Sequence, residues 1–259
     1  MSDRPRPDLP TTIAEIVSSG ARFFSALTAL TDADMRAASA LPTWTRGHVV
    51  SHVARGADAY VWLLTVARTG AEPSPRAGAA ALAQAVDDGA ARPATQLLAD
   101  VRSSLDRVVA EATSMDAGAW DTLVTALAGW RHPAWYTLYR CWRELETHHV
   151  DLNVGYTTSN WPTPYVTWAL NDTVATVAAR GFPVARVEAV DIDRSWTLSP
   201  TGPTIRAPGH VLLGWLSGRL PAASLVADGP VPEPPGPWPL PPTPGWGRTS
   251  GHGDRPGAR

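Results

Sequence analysis

Apolar side chains return every three to four residues through four long stretches of this chain, and in alternation only towards its end. The first stretch follows Pro10. Ile13, Ile16, Val17, Phe23, Phe24, Leu27 and Leu30 share a helical face, with Thr11 or Thr12 as the expected cap. Thr31-Asp-Ala-Asp34 reads as a second helix start, and Leu41-Pro-Thr-Trp-Thr45 as a loop ending in a capping threonine. A long helix is predicted over 46–69. Its apolar row is Val49, Val53, Ala57, Tyr60 and Leu64, with His52 and Gly56 beside that row and Gly70 as the stop. Helical character is weak over 79–86. It is strong over 93–112, where Leu97, Leu98, Val101, Leu105, Val108 and Val109 lie on one side. Residues 116–132 are looser, with Thr122-Leu-Val-Thr125 as a short extended piece. Pro133 then suits the first turn of a fourth long helix running to about 154, striped by Trp135, Leu138, Trp142, Leu145, His149 and Leu152.

The character changes near Gly155. One more helix is predicted over 162–179, ended by Gly181. Short strands follow at 184–190, 195–198 and 204–206, then a helix over 210–220 and a last strand at 224–227. The expected fold class is therefore an α-helical bundle joined to a small α+β unit. The expected division is a four-helix bundle in residues 1–156, a small α+β domain in 157–230, and a Pro/Gly-rich extended or disordered tail in 231–259. There is no internal repeat.

Composition narrows the class without choosing a function. The 259 residues carry a net charge of -2, which gives no electrostatic reason to expect nucleic acid or an anionic membrane as partner. All 22 basic residues are arginine. The single Cys141 excludes an intramolecular disulfide and any multi-cysteine zinc site. Met1–Pro10 has no apolar signal-peptide core, and no apolar run reaches the length that spans a bilayer. A cytoplasmic protein is expected.

The chemistry concentrates in Cys141-Trp-Arg-Glu-Leu-Glu-Thr-His-His-Val-Asp151. Glu144 and His148 stand four residues apart, hence on one helix face, and together can hold one divalent metal ion if another element supplies a third ligand. The candidate is His52, facing inward from the second long helix. An ionised Glu beside a core-facing stripe is costly without a positive neighbour, and a metal supplies that charge. Other groups compete for the role. His48 and His52 form a His-x-x-x-His pair that can chelate alone, although no Glu follows His48 as in the zinc-protease pattern. Cys141, one turn before Glu144, is either a thiolate or an inert buried thiol. His149 lies on the apolar stripe as a core histidine, and Glu146 points away from Glu144. Arg219, at the end of the 210–220 helix, either satisfies the helix C-terminus or grips a substrate carboxylate. Trp44 reads as a hydrophobic staple at the start of the second long helix, with a substrate platform as the other reading. No phosphate loop, dinucleotide fingerprint or nucleophile elbow occurs.

At these residues the chain resembles the mycothiol-dependent maleylpyruvate isomerase family, within the DinB-like metal-binding four-helix-bundle superfamily. The resemblance rests on Leu41-Pro-Thr-Trp-Thr-Arg-Gly-His-Val-Val-Ser-His52, on Trp142-Arg-Glu144-Leu-Glu-Thr-His148-His-Val-Asp-Leu152, on Gly218-Arg219, and on Val231-Pro-Glu-Pro-Pro. It spans about residues 10–240. It implies a DinB-like bundle in which His52, Glu144 and His148 hold zinc, with mycothiol as the thiol cofactor and Arg219 as the catalytic arginine. The implied reaction is thiolate addition to a cis double bond, rotation about the resulting single bond, and elimination to the trans isomer. The implied partners are a small electrophilic substrate and a low-molecular-weight thiol, with no nucleic acid or membrane, the protein being a monomer or homodimer. Two places depart from the family pattern: Ser-Pro-Arg follows Pro73 where a Met-Tyr pair is usual, and Leu220-Pro221 follows Arg219 where a Gly/Asp-rich turn is usual. A mycothiol S-transferase that leaves the thiol on its product, and a non-catalytic metal-binding interaction module, are the alternatives.

Overall fold

The computed structural model describes residues 8–236 and 238–242. Helix α1, Leu9–Leu27, is capped by Asp8, whose carboxylate accepts from the Thr11 amide at 3.3 Å. The threonines expected to cap it lie inside the first turn. Pro10 sits there too, where a missing N–H costs nothing. Ile16, Phe23 and Leu27 are its buried apolar positions. A capping box between Thr31 and Asp34 opens the short α2, Asp32–Arg36.

Helix α3, Arg46–Thr69, starts with a second capping box in which His48 occupies the position usually held by Glu or Gln. It stops at Gly70 in the left-handed conformation, φ 73°. Helix α4, Ala79–Ala90, lies across the N-terminal half of α3 at backbone contact. A Cβ on Gly47 would meet the Ala90 carbonyl oxygen at 2.7 Å, so only glycine permits the approach. Helix α5, Ala94–Thr113, buries Leu97, Val101, Leu105 and Val108.

The looser region pairs with itself. Strand β1, Leu123–Thr125, runs antiparallel to β2, Arg131–Pro133, with Val124 opposite His132. The sequence pattern pointed to β1 only, because Arg-His-Pro carries no alternation of its own. Pro133 caps α6, Ala134–Asp151, which ends at Asp151 rather than near 154: Asn153 and Gly155 adopt positive φ of 55° and 95°. Helices α1, α3, α5 and α6 form the bundle, with α3 packed on α5 and α6, and α1 on α6 and α5.

Helix α7, Thr163–Ala178, leads into strands β3, Arg186–Ala189, β4, Arg194–Thr197, and β5, Thr204–Ala207. Helix α8, Gly209–Leu216, and the two-residue β6, Val226–Ala227, follow. The sheet order is β4-β3-β5-β6, with β3 and β5 parallel and the other pairs antiparallel. Helix α8 covers β3 and β5 and packs on α7. It ends earlier than the sequence pattern suggests. Gly218 at φ 72° breaks it, the amides of Arg219 and Leu220 turn back to the Gly214 carbonyl, and Arg219 lies beyond the helix.

One continuous apolar cluster runs from Ile16 and Phe23 through Trp142 and Tyr165 to Ile205 and Trp215, joining the bundle to the α+β part. The segment expected as tail has no regular structure from Val231 to Gly236 or from Trp238 to Pro242. It is nevertheless held: Val231, Trp238 and Leu240 pack against the core, and Arg180 Nη2 donates to the Pro241 carbonyl at 2.8 Å. Met1–Pro7 and residues 243–259, with the leader and tail readings that fall on them, lie outside the described residues.

Candidate metal centre

Helix α6 carries Glu144, His148 and Asp151 at spacings of four and three, which stacks them along one face. His52 comes to the same point from α3, one turn beyond the Thr45–His48 capping box. His52 Nε2 and His148 Nε2 approach Glu144 Oε2 at 3.2 and 3.1 Å. The two imidazoles meet edge to face, 4.8 Å between centroids. One ligand atom from each of the three residues lies within 4.8 Å of the others. The structure therefore brings together the three residues singled out in the sequence.

Around them stands a shell whose mutual contacts the sequence pattern did not show. Asp151 Oδ2 lies 2.9 Å from His148 Nδ1, leaving Nε2 to face Glu144. Arg219 grips Asp151 with two donors, Nε at 3.1 Å and Nη2 at 2.8 Å, while its Nη1 donates to the Ser217 carbonyl at 2.6 Å. Both sequence readings of Arg219 bear on this geometry. It does satisfy the end of α8, and its two-pronged edge does hold a carboxylate, but that carboxylate belongs to Asp151. The i,i+3 spacing of His148 and Asp151 was the available signal. Tyr60, read only as a core residue, donates its hydroxyl to Glu144 Oε1 at 3.3 Å. Trp44 stacks near His48 and lies 5.2 Å, centroid to centroid, from His52.

The electrostatics follow from these contacts. Burial opposes ionisation of Glu144, yet hydrogen bonds from His148 and then His52 outweigh it and hold the carboxyl well below its usual range. Burial likewise opposes charge on His148. The hydrogen bonds to Asp151 and Glu144 win, raising it to about 9. Asp151 is held below its usual range because contacts with His148 and Arg219 overcome its burial. The centre thus sets a half-buried carboxylate against a basic histidine, a charge pattern that a divalent ion would replace.

The competing sequence candidates sit elsewhere. His48 Nδ1 accepts from the Thr45 amide at 3.1 Å, and its Nε2 faces Asp87 at 3.7 Å. Cys141 is buried, and burial, with the nearby Glu144 charge, pushes its thiol up to about 12. A thiol in that state is neither a ready ligand nor a nucleophile. His149 stacks flat on Tyr156, 3.6 Å between centroids. Glu146 points the other way, accepting from Ser19, from Arg22 at 2.6 Å and from Tyr156 at 2.5 Å.

Comparison with known proteins gives the centre a context. The crystal structure of the mycothiol-dependent maleylpyruvate isomerase superposes with a TM-score of 0.79 at 22% identity, covering 90% of this chain and 97% of that one. A histidine-to-alanine mutant of that enzyme gives a TM-score of 0.79 at 21% identity with the same coverage. At these identities the likeness speaks for the fold. No curated protein matches the chain. The family described as mycothiol maleylpyruvate isomerase N-terminal domain matches residues 17–153, which contain His52, Glu144 and His148. That match covers more than half of the 259 residues, and the chain belongs to this family.

Proposed function

We propose that this protein is a metal- and mycothiol-dependent isomerase of the maleylpyruvate type, with His52, Glu144 and His148 as ligands of a zinc ion. The observation that carries the reading is the geometry of the three ligand atoms. In a tetrahedral site with bonds of about 2.0–2.1 Å, neighbouring ligand atoms stand about 3.3 Å apart. The two imidazole-to-carboxylate distances here are 3.1 and 3.2 Å. Three nitrogen and oxygen donors with a position left over match a catalytic zinc site better than a closed structural one. Asp151 on His148 Nδ1 supplies the carboxylate–histidine support that such ligands carry.

When bound, the metal ion supplies a Lewis acid that keeps a thiol in its nucleophilic thiolate form at neutral pH. The residues of the chain do the rest. Tyr60 fixes Glu144 Oε1, so that Oε2 stays between the histidines. Asp151 keeps the proton on His148 Nδ1 and orients the ring. Trp44 packs against the His52 ring. Arg219 anchors Asp151, and it is the proposed catalytic arginine through the N–H groups not spent on Asp151 and Ser217. The substrate is a small electrophile bearing an activated cis double bond. The division into a bundle ending near residue 156 and a separate α+β domain belongs to the same proposal, as does a cytoplasmic site of action. Among the described residues no helix is long and apolar enough to cross a membrane.

The test is metal content by elemental mass spectrometry on the wild type and on Glu144→Ala, followed by turnover of maleylpyruvate with and without mycothiol. About one zinc per chain, lost in the variant, together with thiol-dependent turnover to a product of unchanged mass, supports the reading. A product heavier by the thiol identifies an S-transferase instead. No metal in the wild type after zinc is supplied would remove the enzyme reading altogether.

A further inference from the structure

Arg140 lies on α6 one turn before Glu144, so the two side chains leave the same helix face about 6 Å apart along the axis. Its guanidinium rests 5.0 Å from the centroid of Tyr60, the residue that donates to Glu144, and 5.1 Å from that of Trp130. Nη1 donates to His132 Nε2 at 3.2 Å. Nδ1 of the same ring donates to the Pro133 carbonyl at 2.9 Å, so Nε2 carries the lone pair and the imidazole is neutral. A second guanidinium reaches this hairpin. Arg76, between α3 and α4, donates from Nη1 to the Thr125 carbonyl at 2.7 Å and lies 4.7 Å from the centroid of Trp62. Thr125 and His132 are one register position apart across β1 and β2.

Two half-buried arginines thus share one corner, and among the described residues neither has a carboxylate within ion-pair distance. Among the same residues Arg46 also lacks a carboxylate, but it is spent on the backbone carbonyls of Leu152, Asp34 and Asn153, and three other withdrawn arginines are ion-paired. Arg55 is answered by Asp100 at 2.7 Å, Arg143 by Asp172 at 2.7 Å and Arg219 by Asp151 at 2.8 Å. The charges of the pair are felt locally. After burial, the Arg140 charge is the main influence lowering Arg76, ahead of the opposing pull of the exposed Glu72. Both arginines add to the burial that pushes His132 down to about 3. A guanidinium drawn partly out of water and held by rings and neutral acceptors has an unspent demand for an anion. Arg219 cannot offer a substrate carboxylate a two-pronged grip, since that edge is committed to Asp151 and only single N–H groups remain free of it.

We propose that Arg140 and Arg76 form an anion subsite that takes a carboxylate of the electrophilic substrate, Arg140 standing one helical turn along α6 from Glu144, where His52 and His148 converge. The inference rests on the reading of that triad as the reactive end. Tyr60 links the two ends, its ring against the Arg140 guanidinium and its hydroxyl on Glu144 Oε1, a span that suits a small acid whose carboxylate and reacting carbons are a few bonds apart.

The experiment is calorimetric titration of zinc-loaded, full-length protein with maleate and, separately, with inorganic phosphate. Wild type is compared with Arg140→Gln, Arg140→Lys and Arg76→Gln, and zinc content and circular dichroism are recorded for each. Maleate is expected to bind the wild type, roughly tenfold or more weakly in Arg140→Gln, and several-fold more weakly in Arg76→Gln. Arg140→Lys should fall between, because a point charge lacks the planar fork. Zinc content should be unchanged throughout, and in turnover the loss should appear in the KM for maleylpyruvate and not in that for mycothiol. Equal maleate affinity in the wild type and both Gln variants, or no maleate binding by the wild type at millimolar concentration, overturns the proposal. Tighter binding of phosphate than of maleate overturns the carboxylate assignment. If Arg140→Gln does not fold, Arg76→Gln, on a more exposed segment, decides alone. Maleate affinity that follows the arginines, in a wild type that does not turn over maleylpyruvate, leaves the subsite standing and removes the isomerase reading.

Discussion

The carboxylate of Asp151 lies 2.9 Å from Nδ1 of His148 and is itself gripped by Arg219, so one buried acid sets the direction of a candidate metal ligand. Replacing Asp151 with Asn removes the charge that keeps Nδ1 protonated and the ring in place. Zinc affinity, read by competition with a chromophoric chelator, is expected to fall about 10- to 100-fold. Unchanged affinity would show that His148 needs no support from Asp151.

His52→Ala and His148→Ala each remove one of the three proposed ligands, and most of the metal should go with them, together with all thiol-dependent turnover. Arg219→Ala should keep about one zinc per chain while turnover drops. Elemental analysis and steady-state kinetics on the same preparations separate the two behaviours. Stoichiometric zinc in both histidine variants would sink the ligand assignment, and unchanged kinetics would remove Arg219 from the mechanism.

Glu144 and Glu146 are two residues apart on α6 and face different worlds. Glu146→Ala strands Ser19, Arg22 and Tyr156, which all donate to it. It should cost about 3 kcal/mol of folding stability while leaving metal content intact. Glu144→Ala should do the reverse, losing metal at a smaller cost in the stability of the metal-free protein. Urea unfolding after chelation, alongside metal analysis, measures both; metal loss in Glu146→Ala would contradict the separation.

Two buried histidines make the fold sensitive to acid. Burial first, and then the Arg140 charge, push His132 down to about 3, and burial, then Arg22, push His149 down to about 4. The unfolded chain takes up those protons near pH 6.5, where the folded chain refuses them, so stability falls as pH drops from about 6.5. The expected slope is about 1.4 kcal/mol per pH unit for each histidine, until carboxylates begin to titrate near pH 4.5. His148, raised to about 9, acts in the other direction. Its contribution to the metal-free protein is complete below about pH 6.5 and is lost as pH rises through 9. Denaturant unfolding of the metal-free protein at pH 6.5 and 5 should show about one proton less taken up in His149→Gln than in the wild type. An identical slope would mean that His149 is already protonated in the fold.

The helical part of the architecture was legible because it is written locally. The stripe Val49, Val53, Ala57, Tyr60, the capping Thr45 and the stop at Gly70 fix α3 within a single stretch of chain, and α6 declares itself through Trp135, Leu138, Trp142 and Leu145. Where a boundary depends on a residue outside the periodic run, the pattern was displaced. Asp8 caps α1 in place of Thr11 or Thr12, and Gly218 ends α8 before Arg219. Strand β2 was invisible, since three residues reading Arg-His-Pro acquire strand geometry only from their partner β1. The segment from Val231 was read only as an extended or disordered tail, for a similar reason. Its prolines exclude helix and strand, but nothing local announces that Trp238 will lie over Arg143 and Arg219.

The candidate centre divides along the same line. The sequence by itself determined that Glu144 and His148 share a face, because a helix turns 3.6 residues at a time whatever surrounds it. It also offered His52 as the third ligand, through the inward side of α3 and the family resemblance. Only the tertiary structure spends His48 on the Thr45 cap and turns His52 towards α6. Only the tertiary structure bound Arg219 to Asp151 and left Arg140 and Arg76 without a carboxylate among the described residues. Those outcomes depend on which charges meet across residues 68 apart in one case and 45 in another, as for Arg55 and Asp100. Periodicity reports which way a side chain points from its own helix; what it meets there is set by the packing of the other elements.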